Sequence, residues 1–172
     1  MLNDNIEEAL NDQVNKELYS AYLYQAMGAQ AEFDGFEGIA SWMSVQAEEE
    51  VFHAKKIYNF INEKGGRVEL ESIEKPPVDF DSVQAMFEGA LEHEQFVTKS
   101  INELVDLAQE ENDHATEIFL QWFVEEQVEE EDSVESILDK LELIGDSGQG
   151  LLMFDKELGQ RVFTESEDEQ EG

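Results

Sequence analysis

The chain of 172 residues has no cysteine, only two prolines, three histidines and ten basic residues. Without cysteine there are no disulfides, no thiolate metal ligands and no thiol nucleophiles. The two prolines stand together at Pro76 and Pro77, so nothing breaks the long periodic segments on either side of them. No window comes near the roughly 20 apolar residues of a membrane span. The opening stretch MLNDNIEEALNDQVNKELY lacks both the basic start and the continuous apolar run of a secretory signal. These absences lead to the expectation of a soluble, cytoplasmic protein with no membrane partner.

The scarcity of basic charge is set against 43 Asp and Glu, for a formal net charge of −33 at pH 7. Such a surface repels nucleic acid and anionic lipid, so neither is expected as a partner. Apolar residues still make up 41% of the chain, enough to bury a core, which excludes an acidic disordered protein. The acidic excess has two readings: adaptation to high salt, where screening removes self-repulsion, or a field that gathers cations. We assign most of it to a halophilic habitat, because almost all of it falls where a helix shows its side chains to water.

What the chain does contain is helical periodicity. Glycine and proline mark off four long helices, at about 5–33, 36–64, 82–111 and 113–144, with Asp81-Ser82 as a candidate N-cap for the third. A short fifth helix follows in GLLMFDKELGQ. The domain is expected to span 1–162, and the acidic stretch 163–172 is expected to be a disordered tail. In each long helix the apolar positions step by alternating threes and fours, the seam of a left-handed bundle. The first and second helices, and the third and fourth, are joined by two or three residues, which forces antiparallel hairpins. Between the second and third lies GGRVELESIEKPPVDF, long enough when extended to run the length of a helix. The expected fold is therefore all-α: a four-helix bundle with one long crossover between the second and third helices and a short fifth helix at the C-terminus.

All four seams turn polar near their midpoints: Glu17 in the first helix, Glu50 and His53 in the second, Glu94 in the third, Gln127 and Glu130 in the fourth. Midpoints of antiparallel helices of equal length lie at one level, so these side chains should converge. Buried carboxylates cost several kcal/mol per uncompensated ion, and no Lys or Arg occupies a seam position. The missing positive charge must come from protons or from metal. Any one of these residues alone would be read as a hydrogen-bonded core group; six at one level, with a Glu-x-x-His pair on one face, point to a metal centre. Carboxylates with one imidazole and no sulfur suit iron or manganese, and permit zinc. Glu50 is the natural bridge, with Glu17, Glu50 and His53 around one ion and Glu50 and Glu94 around a second, for which Glu130 is a further candidate. Tyr24 lies two turns beyond Glu17 on the same face, either as a core tyrosine with a satisfied hydroxyl or as a redox-active phenol.

From LNDQVNKELYSAYLYQ through AEEEVFHAKKIY and FLQWFVEEQVEEE to GLLMFDKEL, the chain resembles the bacterial-type non-haem ferritins along nearly its whole length. The resemblance implies a ferritin-like bundle that oxidises Fe(II) at a di-iron site, with O2 or H2O2 as oxidant. It implies storage of the product as a ferric mineral inside a hollow homo-oligomer of 24 subunits. By the same resemblance Glu17, Glu50 and His53 bind the first iron and Glu50, Glu94 and Glu130 the second. Gln127 and Tyr24 match supporting positions, and Glu49, Glu126, Glu129 and Glu130 match a third iron site. Read by themselves, Glu49, Glu126 and Glu129 lie beside the seam, where a helix also places solvated charge. Haem is not expected, because Val51 follows Glu50 where haem-binding relatives place a methionine. His93 and His114 fall off the seams and are read as surface residues.

Overall fold

The periodic segments become five α-helices in the computed structural model, which describes residues 2–163. They are α1 (Asp4–Phe33), α2 (Glu37–Glu63), α3 (Val83–Glu110), α4 (His114–Ile144) and α5 (Gly148–Leu158). No strand occurs among the described residues. The boundaries fall within two residues of those expected, and local capping explains where most helices start. Side chains of Asn3, Ser82, Asp113 and Ser147 each accept from a first-turn N–H of the helix that follows. The helix α2 has no such cap of its own; Asp155 of α5 supplies it, accepting the Ile39 N–H at 2.8 Å. The hairpin turns rely on left-handed backbone at Gly35 (φ 87°) and at Asn112 (φ 57°), where asparagine tolerates what most side chains do not. Of the anticipated tail, residues 164–172 lie outside the described residues, while the Phe163 ring sits 5.7 Å from that of Phe52.

The crossover runs back alongside α1 and is pinned to it by polar clips. Asn11 donates to the Arg67 carbonyl at 2.9 Å and accepts from the Glu69 N–H at 2.8 Å. Asn15 donates to the Ser72 carbonyl at 3.3 Å, and Gln30 exchanges two 2.7 Å bonds with the backbone of Phe80. From Asn11 to Gln30 is about 28 Å along a helix at 1.5 Å per residue. The linker therefore travels most of the bundle, and α3 enters from the end opposite to α2's exit.

The positions that step by threes and fours are buried, Ile6, Leu10, Tyr24 and Met27 in α1, Ile39, Met43 and Ile57 in α2, Phe87, Val97 and Ile101 in α3, and Leu120, Phe123, Val134 and Ile137 in α4, while Val83 and Ile144 at helix ends are half-buried. The apolar core nonetheless falls into two clusters. One holds Tyr24, Met27, Ile39, Trp42, Phe87 and Ile137; the other holds Ile6, Leu10, Ile57, Ile101, Leu120 and Phe123. The polar level lies between them. Each cluster clamps the four helices on one side of it, and that clamping sets the positions of the polar side chains.

The fifth helix docks across the start of α2, and the contact requires a glycine. A Cβ on Gly38 would lie 1.7 Å from the Asp155 carbonyl oxygen. A Gly38→Ala substitution should displace α5 and strip α2 of its borrowed cap, at a cost of about 1–3 kcal/mol. Thermal unfolding checks this; an unchanged midpoint would mean that α5 does not dock as described.

Candidate metal centre

Glu17, Glu50, His53, Glu94, Gln127 and Glu130 all come to the middle of the bundle, each at most 4% exposed. Ligand atoms of Glu17, Glu50 and His53 lie within 4.8 Å of one another, and so do those of Glu50, Glu94 and Glu130. Glu50 is common to both groups. The His53 Nδ1 stands 3.6 Å from Glu50 Oε2 and 3.9 Å from Glu17 Oε2, in ion-pair range but too far for hydrogen bonds.

Amides hold one oxygen of several carboxylates and leave the other alone. Gln13 donates to Glu17 Oε1 at 2.7 Å; Gln46 donates to Glu50 Oε1 at 2.9 Å and to Glu130 Oε2 at 2.7 Å. Tyr24 donates to Glu94 Oε1, and Gln127 makes a weaker 3.3 Å contact with Oε2 of the same carboxylate. Glu17 Oε2, Glu130 Oε1 and both ring nitrogens of His53 are buried with no hydrogen-bond partner. Buried polar atoms are almost always satisfied. Four orphans on converging side chains mark a place where another atom belongs, and their chemistry is that of a cation's ligands.

The electrostatics agree. Burial raises the Glu17 and Glu94 carboxyls to about 8, with the Glu50 charge adding to the shift. Burial, then Glu94 and Glu50, raise Glu130 well above the ordinary range. Burial would raise Glu50 too, but His53 and the Gln46 amide together outweigh it and hold Glu50 low. Burial opposes a charge on His53; the carboxylates, Glu50 foremost, overcome it and push the imidazole up to about 10. Metal-free, the centre therefore holds a Glu50–His53 ion pair flanked by protonated carboxyls. Tyr24 is pushed up by burial and then by Glu94, which keeps the phenol protonated as a donor.

The candidates for a third site are less well gathered. Glu126 comes within 4.8 Å of His53 and Glu130, but Glu49 and Glu129 join no such group among the described residues. Glu129 is exposed, and Glu49 is paired at 2.5 Å with Arg161. His114 is exposed as expected, whereas His93 is not a surface residue. It is half-buried, bonded at 2.7 Å to Ser20 Oγ and packed beside Tyr19, because it lies in the groove between α1 and α3. Sequence reasoning passed over Gln13, Gln46 and Arg161. Gln13 and Gln46 stood in the seam beside the acidic residues, which was the available signal; Arg161 follows the last helix and gave none.

Against known proteins, the family described as Ferritin-like domain matches residues 7–144. A bacterial non-heme ferritin of Staphylococcus aureus is 43% identical over 165 residues, covering 96% of this chain and 99% of its own length. A solved open-pore ferritin from the archaeon Archaeoglobus fulgidus superposes with a TM-score of 0.93 at 50% identity, over 94% of this chain and 99% of that one. A form of the Archaeoglobus fulgidus ferritin closed by site-directed mutagenesis gives a TM-score of 0.94 at 50% identity, over 95% and 100%.

The raised carboxyls make stability depend on pH with a definite sign. Between their ordinary value of 4.5 and about 8, Glu17 and Glu94 are protonated when folded and ionised when unfolded. The unfolded chain binds fewer protons there, so stability falls as pH rises. His53 adds the same sign, since its contribution is lost as pH rises through about 10. A carboxyl in open water titrates below about pH 6. The unfolding midpoint of metal-free protein should therefore fall from about pH 6 to about pH 9, and fall less steeply in Glu94→Gln. A flat profile over that range would contradict this charge distribution.

Proposed function

The chain belongs to the ferritin-like family, and on that premise we propose that it stores iron, taking in Fe(II), oxidising it at the centre described above and keeping the product as ferric mineral. The observation that carries this reading is Glu50, whose carboxylate belongs to two ligand groups at once amid buried atoms that lack partners. Glu17, Glu50 and His53 take one Fe(II), and Glu50, Glu94 and Glu130 take the other. Gln13 and Gln46 hold one oxygen of Glu17, Glu50 and Glu130, aiming the second oxygen of Glu17 and Glu130 at the ions. Gln127 and Tyr24 steady Glu94.

Two cations supply the counter-charge that the buried carboxylates lack, so they displace the protons of Glu17, Glu94 and Glu130. Two Fe(II) held side by side each give up one electron, and a two-electron oxidant, O2 or H2O2, takes both. A shared ligand suits that pairing because it couples the two ions through a single carboxylate.

Several large apolar side chains stand in water on the isolated chain, among them Phe33, Ile118, Leu143 and Met153. They support assembly into a shell, for which we adopt 24 copies of this chain. The formal net charge of −33, most of it exposed, favours a high-salt cytoplasm as its setting, and no helix among the described residues is long and apolar enough to cross a membrane. Size-exclusion chromatography with light scattering in molar salt reads the assembly directly; a monomer or dimer there would remove the hollow shell from this account.

Stopped-flow mixing of metal-free protein with Fe(II) in air should show ferrous iron lost much faster than in buffer. Glu50→Ala should slow that fast phase by about 100-fold or more, since it removes a ligand from both ions. No acceleration in the parent would leave cation binding without turnover, and a Glu50→Ala variant as fast as the parent would place the chemistry elsewhere.

A further inference from the structure

Arg161 lies just beyond α5, in a segment whose side chains meet successive turns of α2. Its guanidinium sets Nη2 2.5 Å from Glu49 Oε2 and Nη1 2.6 Å from Gln46 Oε1, and lies 4.5 Å over the Trp42 ring. The pair is largely withdrawn from water, with side-chain exposures of 24% for Arg161 and 15% for Glu49. A charge-assisted bond, a second bond to a buried amide and a stacked aromatic face together fix a planar fork that cannot lose its proton.

This placement bears on the third iron. The resemblance to ferritins puts Glu49, Glu126, Glu129 and Glu130 around one cation. Here Glu49 already has a cation, while Glu126 turns toward His53 and Glu130. A metal ion entering beside Glu49 would either face a fixed positive charge or have to expel it. Expelling it has a second consequence. Arg161 takes the carbonyl of Gln46, and this orients the Gln46 NH2 toward Glu50 and Glu130. Loss of Arg161 would release that amide as well.

We propose that Arg161 is a built-in cation that occupies the third position at Glu49, so that each subunit holds two metal ions tightly and takes a third only when the segment after α5 lets go. The proposal rests on the two-ion reading of the centre, but its test is a difference between variants.

Calorimetric titration of the metal-free full-length protein with Co(II), without oxygen and in about 1 M KCl to screen the surface carboxylates, counts tight ions per subunit. Arg161→Gln should bind one more ion than the parent, with an affinity about tenfold or more above any third event in the parent. The double variant Arg161→Gln with Glu49→Gln should return to the parental count. Glu49→Gln alone, an isosteric change that keeps the fold, should leave that count untouched, because Arg161 already holds Glu49. An unchanged count in Arg161→Gln, an extra ion that survives in the double variant, or an ion lost in Glu49→Gln alone would each overturn the proposal. A parent that fails to bind two ions counts against the two-ion reading, and the difference between variants still reports on Arg161.

Discussion

Burying a carboxylate without a counter-charge costs several kcal/mol, and this bundle buries Glu17, Glu50, Glu94 and Glu130 at one level with a single imidazole among them. That debt organises the rest of the structure. Metal-free, three of the carboxyls keep their protons and the fourth keeps His53 charged. The arrangement is tolerable without being satisfied, since four polar atoms are left with nothing to bond. A fold that meets such a penalty halfway with protons is primed to exchange them for cations.

Holding the centre in this state requires rigidity on both sides of it. The two apolar clusters supply that rigidity, since neither can shift its helices without opening a void. Aromatic walls do the same close in: the rings of Trp122 and Phe123 lie edge-on to His53, at 5.4 and 6.0 Å between centroids. The amides then set orientation. Gln13 is itself fixed by Ser100, which donates to it at 2.6 Å and accepts from Lys16 at 2.8 Å. Each donor in that run points toward Glu17, so a basic charge near the surface reaches the buried carboxylate through neutral groups.

The fold and the convergence at its centre were legible because both follow from spacing. Steps of three and four identify the seam, and helices of equal length joined by short turns bring their midpoints together. Other features depend on where elements lie relative to one another. Gln13 and Gln46 are seam residues like any others until the oxygen each one holds is known. Asp155 sits on a short helix whose docking angle has no periodicity to betray it. His93 was misread because being off the seam is not the same as being in water; the groove between α1 and α3 buries it partway.

Arg161 completes the same electrostatic argument. No basic residue lies in a seam, so the inner carboxylates draw positive charge from protons or metal; the chain also brings one basic group in from outside the bundle. It goes to Glu49, on the rim, and not to the four carboxylates within. The distinction is physical. A guanidinium among the inner carboxylates would be a permanent counter-ion and would close the centre to metal, whereas at the rim it neutralises one carboxylate and leaves the inner set in deficit. The inner deficit is what draws cations in, and a fixed charge at the edge bounds how many the site can hold.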